Sequence, residues 1–305
     1  MKTFAKQTEI YLVWLTTRKR APLKATSLAT IQSLTRAAMP VLGRMRLEDV
    51  DNGALKNLAA ILDKETYSPK SIQSILTVVK KVVASDKDKN GKLRHVRDWD
   101  EDFIDAPQVE SEEVHPPTKD FLENALMASR SPIWQFIATQ AATGARKGEL
   151  CALNVADFDA TNDVLHISRT LSRYGETSTK TRAGRRQVDI HPDITAMLVA
   201  MLDGRAAGRL FDISVDAVRW GFDKLGLRSH GLRHFRYTHL QHFQLPSGIH
   251  DYWIGHSQKS LEKVYGHIHE HAEPRHSLAR EIGYGFTLPA VATVEQHEHA
   301  EVVSA

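Results

Sequence analysis

Cysteine is nearly absent from this chain, which has Cys151 alone among its 305 residues. A single cysteine can form no internal disulfide and cannot build a zinc module that depends on several thiolates. It fits a reducing compartment, so we expect a cytoplasmic protein. The sequence also lacks any run close to the ~20 apolar residues that a membrane-spanning helix needs, so we expect no membrane partner. Its N-terminal apolar stretch, Ile10 to Leu15, is too short for a secretory signal and follows the acidic Glu9.

The net charge of +3 is small, but the charges are unevenly distributed. Residues 1–46 contain nine lysines or arginines and one acid, whereas residues 98–123 contain ten acids and one base. A basic region of this kind is typical of a surface that binds a polyanion, although a solvated, charge-rich face would have the same composition. The candidate nucleic-acid contacts in this region are Arg18, Lys19, Arg20 and Lys24.

Apolar residues spaced for helical faces predict a helical first domain that spans residues 1–104. The predicted helices cover residues 7–17, 24–39 and 71–83. Because proline lacks the N–H that a helix needs, we expect Pro40 to stop or bend the second of them. Residues 105–117, with prolines, acids and almost nothing to bury, are typical of a linker.

The pattern changes in residues 118–287, where helical spacing alternates with short strands. Ser131 and Pro132 predict the start of a helix that Gly144 ends. Residues 288–305 have neither pattern, so we expect a disordered tail. The predicted fold class is mainly α with a small β-hairpin or sheet. The predicted strands cover residues 164–169 and 186–190, and later helices cover 192–202, 215–225 and 229–243.

Arg146 follows Thr143, Gly144 and Ala145 at the expected start of a helix. Free backbone amides at a helix N-terminus favour an anion, and the planar guanidinium offers a fork of donors that suits a phosphate. Taken alone, the residue is better explained as a surface arginine paired with Glu149, three residues later.

Lys180 lies in the turn between the two predicted strands, with Arg182, Arg185 and Arg186 close by. A lysine on a loop can enter a DNA groove or protonate a leaving oxygen. Arg182 competes for that role, but an arginine pKa above ~12 makes it a poor proton donor. The density of cations favours a loop that touches DNA over a solvated turn.

His230 and Arg233 lie three residues apart on a predicted helix and therefore share a face. The same helix contains His239 and His242, whose spacing would also suit a metal ion. No cysteine or carboxylate accompanies them at ligand spacing, so we expect no metal.

Tyr265 follows His256 by nine residues, in a segment that also contains Lys259 and Lys263. A tyrosine hydroxyl is a poor nucleophile at its ordinary pKa near ~10, but it becomes effective when cations hold and neutralise the electrophile. A buried structural tyrosine is the alternative for a lone residue, and the charged flanks argue against a core position.

Five features in this order resemble the tyrosine recombinase, or phage integrase, family: Thr143-Gly144-Ala145-Arg146, Lys180, His230-x-x-Arg233, Gly255-His256 and Tyr265. The match covers residues 118–270. Residues 1–104 are similar to the family's core-binding domain only in size, helical character and basic charge. The resemblance implies a two-domain, C-shaped DNA clamp with residues 118–287 as its catalytic domain.

The resemblance also implies a metal-free and cofactor-free reaction at one DNA phosphate. Arg146 and Arg233 would hold the non-bridging oxygens while Tyr265 attacks phosphorus to give a 3′-phosphotyrosyl link. Lys180 would protonate the departing 5′-oxygen, and His230 would assist proton transfer at Tyr265 or hydrogen-bond the phosphate.

His256 would donate a further hydrogen bond to the phosphate. The implied partners are double-stranded DNA with a specific recombination site and further copies of the chain. Strands would exchange through a Holliday junction in a tetramer on that DNA, associated with the nucleoid. Residues 277–282 would dock on a neighbouring subunit.

Three other functions fit parts of the pattern. A type IB topoisomerase-like enzyme would share the tyrosine chemistry but relax supercoils without a cognate site. A non-catalytic DNA-binding regulator on the same scaffold would not need the complete set of candidate catalytic residues. A histidine-metal hydrolase would be sensitive to chelators. The basic helical domain and the expected subunit-docking segment favour recombination.

Overall fold

The computed structural model describes residues 2–20, 23–110, 115–179, 184–245, 248–256 and 271–289. The chain divides into two compact units, Met1–Glu112 and Glu113–Ala305. It is mainly helical with two small antiparallel sheets, which confirms the predicted fold class. In the part of the chain that the structure describes, no helix combines the length and apolarity that crossing a membrane would require.

The first unit is a bundle of helices around an apolar core. The core includes Phe4, Leu42, Leu55 and Val79, none of which is exposed. Helices α1 and α2 both pack against α4, and α3 packs against α4 and α5. The helices are α1 (Phe4–Thr17), α2 (Ala25–Leu42), α3 (Asn52–Lys64), α4 (Pro69–Ala84) and α5 (Glu101–Ile104).

Two features of this unit differ from the sequence predictions. Helix α2 does not stop at Pro40 but continues to Leu42, because a proline close to the last residue interrupts little of the hydrogen-bond ladder. Helix α3 was not predicted, although its signals are present. Asp51 caps it by accepting a hydrogen bond from the Ala54 N–H, and Leu55, Leu58 and Leu62 recur at helical spacing on its buried face.

The second unit is built around α7, whose residues from Trp134 to Thr143 are all buried. Gly144 ends this helix in the left-handed conformation, as predicted, whereas Pro132 rather than Ser131 takes the N-cap position. Helix α7 packs against α6, α9 and α11. The helices are α6 (Lys119–Met127), α7 (Ile133–Thr143), α8 (Lys147–Cys151), α9 (Pro192–Leu202), α10 (Val215–Lys224), α11 (Ser229–Gln241), α12 (Ile249–Ile254) and α13 (Ala272–Ile282).

The strands form a three-stranded sheet in the order β1-β2-β5 and a separate β3-β4 hairpin. Leu165 of β2 pairs with Val188 of β5. The two predicted strands do pair, as β2 and β5, but they are not joined directly by a turn, because the β3-β4 hairpin is inserted between them. Both inserted strands are partly or fully exposed, so they lack the apolar alternation that marks a half-buried strand. The strands are β1 (Phe158–Asp159), β2 (Val164–Ile167), β3 (Arg169–Ser172), β4 (Gly175–Ser178) and β5 (Arg186–Asp189).

Helix α13 packs against its own chain. Arg275, Ala279 and Ile282 are buried, and Arg280 forms an ion pair with Asp163 at 3.1 Å. The segment that was expected to dock on a neighbouring subunit therefore covers the sheet of its own unit here. Cys151, the last residue of α8, is 1% exposed, and burial raises the pKa of its thiol to about 11.

Candidate active site

Three of the predicted site residues line one pocket in the second unit. His230 and Arg233 on α11 and His256 after α12 meet around a cavity of about 130 Å³. Its remaining walls come from His234, Tyr237 and Ile254. The pocket is therefore lined mainly by cations and groups that can become cations, which suits an anionic ligand.

Arg233 is held in this pocket by the end of α7. The residue is 5% exposed, and its Nη1 donates a hydrogen bond to the Gly144 carbonyl at 2.8 Å. Burial, reinforced by the charges of Arg146 and Arg186, lowers the pKa of Arg233 to about 10, so the guanidinium is still charged at neutral pH. Its Nη2 is buried and has no hydrogen-bond partner among the described residues. A buried cationic donor without a partner is unfavourable, and an oxyanion in the pocket would satisfy it.

Gly144 allows Arg233 and the α12 segment to approach so closely. Its φ is +66°, and a Cβ at this position would lie 2.6 Å from Cδ1 of Ile254. Any other residue would have to hold a left-handed backbone and displace the Ile254 methyl group.

Arg146 lies at the N-cap of α8. Its Nη1 donates to Glu149 Oε1 at 2.8 Å, and its backbone N–H donates to Glu149 Oε2 at 3.0 Å. The ion pair that the sequence offered as the alternative explanation is thus present. Arg146 is nevertheless close enough to the pocket for its charge to lower the pKa of both Arg233 and His230.

Glu149 is a buried carboxylate that the sequence analysis did not place in the site. It is 3% exposed and also accepts a hydrogen bond from Arg186 Nη2 at 3.0 Å. Burial alone would raise the pKa of this carboxyl, but the charges and hydrogen bonds of Arg186 and Arg146 outweigh that effect and lower it. In the sequence, the only indication that Glu149 contacts Arg146 was the spacing of three residues between them.

The prediction that Arg186 contacts DNA does not fit the structure. Its side chain is fully buried and donates to the carbonyls of Trp253 and Gly184 as well as to Glu149. The sequence prediction grouped Arg186 with its exposed neighbour Arg185. Neighbouring side chains along a strand point to opposite sides, and charge alone does not show which of the two points inward.

The surroundings lower the pKa of two of the three pocket imidazoles, those of His230 and His256. Burial lowers the pKa of His230, and Arg233 and Arg146 lower it further. Burial also lowers the pKa of His256, reinforced by Arg233 and partly offset by Asp251. With pKa values below the ordinary ~6.5, both rings are mainly neutral at pH 7 and can each donate one hydrogen bond and accept another.

Lys180, Arg182 and Tyr265 lie outside the described residues. The described neighbours of Lys180 are Thr179, just after β4, and Gly184, just before β5. The segment that carries Tyr265 starts directly after His256 in the pocket.

The candidate DNA contacts of the first unit are at the surface. Lys19, Arg20 and Lys24 are exposed, and the Arg18 guanidinium lies 5.3 Å from the ring centre of Trp14. Trp14 is 50% exposed and was not predicted as part of a binding surface. Trp14 and Arg18 line a groove of about 750 Å³, together with Tyr11, Lys81 and Lys87.

Comparison with known proteins gives a sequence relative and several relatives in fold. No model of a known protein family matches the chain. The chain is 26% identical over 249 residues to the tyrosine recombinase XerC of Corynebacterium glutamicum, covering 73% of this chain and 76% of that protein.

Among solved structures, the Tn1549 transposon integrase in complex with transposon right end DNA has a TM-score of 0.66 at 17% identity, covering 99% of this chain and 100% of that one. A lambda integrase tetramer bound to a Holliday junction has a TM-score of 0.58 at 18% identity, covering 86% and 77%. The resemblance to the tyrosine recombinase family is thus confirmed in sequence and in structure, and this chain has the tyrosine recombinase fold.

Proposed function

We propose that the chain is a site-specific DNA recombinase that cleaves and rejoins strands through a 3′-phosphotyrosyl intermediate. The observation that carries this proposal is the buried Arg233 guanidinium, whose Nη2 has no partner among the described residues in a pocket between His230 and His256. A phosphate diester is a monoanion with two non-bridging oxygens, and such an oxygen matches the unused donor.

The reaction exchanges one phosphodiester for another. The Tyr265 hydroxyl oxygen attacks phosphorus, and the bond from phosphorus to the 5′-oxygen breaks. His230, neutral before the reaction, accepts the tyrosine proton, while Lys180 gives a proton to the departing 5′-oxygen. Attack by a second DNA 5′-hydroxyl reverses these steps, so no nucleotide or metal is consumed.

The two arginines act on the charge that develops in this step. Arg233 donates to one non-bridging oxygen from its buried position, and Arg146 donates from α8 with its charge balanced by Glu149. His256 supplies a neutral donor to the same phosphate. Donors that are fixed before the reaction stabilise the transition state without further reorganisation.

The proposed roles in catalysis and DNA binding are divided between the two predicted domains. Residues 118–287 would carry the chemistry, while residues 1–104, joined by a linker at 105–117, would hold DNA through Arg18, Lys19, Arg20 and Lys24. Arg182 and Arg185 would contact DNA near the cleaved phosphate. Exchange through a Holliday junction requires four active sites, so we propose a tetramer on DNA in the cytoplasm.

Covalent trapping tests the proposal. The chain is incubated with fragmented genomic DNA from its host, the protein–DNA adducts are isolated, and the captured sequence is rebuilt as a nicked substrate that cannot religate. We expect wild type and Tyr174→Phe, altered at an exposed turn, to form an adduct and Tyr265→Phe to form none. An adduct mapped by mass spectrometry to Tyr237 in the pocket, or no adduct from the wild type, would overturn the proposal.

A further inference from the structure

Arg186 is a buried charged residue close to the pocket, and it lies on β5 between α8 and α12. Its side chain has no exposed surface. Nη2 donates to Glu149 Oε2 at 3.0 Å, Nε donates to the Trp253 carbonyl at 2.8 Å, and Nη1 donates to the Gly184 carbonyl at 3.1 Å. One rigid guanidinium thus joins three segments that are distant in sequence.

Two of these partners are connected to different groups of the proposed site. Glu149 holds Arg146 through its other oxygen. Trp253 lies three residues before His256 on the same short helix and its cap. The separation of these groups therefore depends on the geometry of one arginine.

The fit around Arg186 is tight. Gly255 has a φ of +74°, and a Cβ there would lie 2.7 Å from Arg186 Nη1 and 2.8 Å from Cζ. The backbone that leads into His256 therefore lies close against the guanidinium. A lysine or an apolar residue at position 186 could not contact all three segments at once, because only arginine has this planar fork.

We propose that Arg186 is a positioning residue of the recombinase site, which fixes Arg146 and His256 relative to one another without touching DNA. This inference rests on the proposed function. The competing explanation is that Arg186 only stabilises the fold as one half of a buried ion pair.

The ionisation state of Glu149 distinguishes a positioning role of Arg186 from a role in fold stability alone. Glu149 can hold Arg146 only when ionised, and the charged groups that act on it are Arg146, Arg186 and Arg233. Arg169 on the adjacent β3 is engaged by Asp157 and Glu176. Without Arg186, burial raises the pKa of Glu149, so the carboxyl takes up a proton as the pH falls and releases Arg146.

The test compares Arg186→Met with Arg205→Met in the full chain, using the nicked substrate described above. Arg205 is a matched control because its guanidinium also binds backbone carbonyls, those of Arg209 and Leu210, and contacts no residue of the pocket. We expect both variants to have a lower Tm. At a temperature where both are folded, Arg186→Met should form adduct about 100-fold more slowly than wild type, as a displacement of about 1 Å at a reacting group can produce. Arg205→Met should keep the wild-type rate.

Two further measurements keep the test decisive if Arg186→Met folds poorly. The double variant Glu149→Gln/Arg186→Met removes both charges, so its Tm should recover, because a buried pair is destabilised mainly when one partner is left alone. Its cleavage should stay slow, since Arg146 has lost its carboxylate. The ratio of Arg186→Met to wild-type cleavage should also fall as the pH is lowered.

Recovery of cleavage together with Tm in the double variant, or a wild-type rate in a folded Arg186→Met, would overturn the positioning role. Those results leave the proposed function intact, because the wild type still cleaves. If the wild type and Arg205→Met also form no adduct, the proposed function fails and the role of Arg186 in it fails as well.

Discussion

The guanidinium of Arg233 combines burial, charge and an unused donor, so its removal should affect chemistry more than DNA affinity. We expect Arg233→Ala to slow adduct formation by about 10²–10³-fold, the usual effect of losing one fixed donor to a developing charge. Most of the proposed DNA contacts lie elsewhere, so affinity in a mobility-shift assay should change much less.

Arg219→Ala is the control for Arg233→Ala, because Arg219 forms an exposed pair with Asp223 and should leave both quantities unchanged. Equal losses of binding and cleavage in Arg233→Ala would mean that Arg233 positions DNA rather than stabilises the transition state.

Gly144 joins the end of α7 to the pocket, and its replacement should be destabilising for two separable reasons. An alanine would hold a left-handed φ of +66° and place its Cβ 2.6 Å from Ile254. Gly204→Ala has the same backbone problem, with a φ of +78°, but no atom within 4 Å of the new Cβ.

We expect Gly204→Ala to lower the free energy of unfolding by about 1 kcal/mol and Gly144→Ala to lower it by about 1–3 kcal/mol more, from overpacking. Urea unfolding of both variants measures the difference. Equal losses would show that Ile254 moves away from the new methyl group without strain.

At the scale of elements, Asp189 at the end of β5 anchors both α12 and α13. Its Oδ2 accepts from Trp253 Nε1 at 2.6 Å and from Arg275 Nε at 2.9 Å, and the side chains of Asp189 and Arg275 are 1% and 2% exposed. Asp189→Asn keeps the shape but removes the negative charge that faces the buried Arg275 guanidinium. We expect the free energy of unfolding to fall by about 3–5 kcal/mol.

Asp223→Asn removes an exposed partner and should change the free energy of unfolding by about 0.5 kcal/mol or less. Urea unfolding at two salt concentrations compares the two substitutions. A small loss in Asp189→Asn, or one that high salt abolishes, would indicate that water reaches this ion pair.

The elements that the sequence predicted well are those with strong local signals. Helix α7 has a continuous apolar face and a glycine at its end, and α11 places His230 and Arg233 on one side through a spacing that any helix enforces. The β3-β4 hairpin gave no such signal because neither face of it is buried. The burial of Arg186 was also hidden, since its partners Glu149 and Trp253 are 37 and 67 residues away in sequence.

At the scale of the whole molecule, several histidines link stability to pH. Burial lowers the pKa of His230, His239 and His256 in the folded chain. In the unfolded chain these rings titrate near ~6.5, so the unfolded state binds more protons as the pH falls through that value. The folded state is therefore favoured above this window and loses stability below it.

We expect the urea midpoint to be lower at pH 5.5 than at pH 7.5. His239→Gln should reduce this difference, because His239 is half-buried against the Ile282 carbonyl and the positive Arg236. His271→Gln, at an exposed position just before α13, is the control and should leave the difference as it is in the wild type. A midpoint that does not move between the two pH values would contradict the linkage.

Because Cys151 is buried, the chain is suitable for attaching a spectroscopic label at an introduced cysteine. A thiol that is 1% exposed, with its pKa raised to about 11, reacts poorly with maleimides at neutral pH. A cysteine introduced at the exposed Tyr174 would then be the one readily labelled thiol of the chain, without prior removal of the native one. A dye at that turn would follow the β3-β4 hairpin during strand exchange from a position outside the pocket.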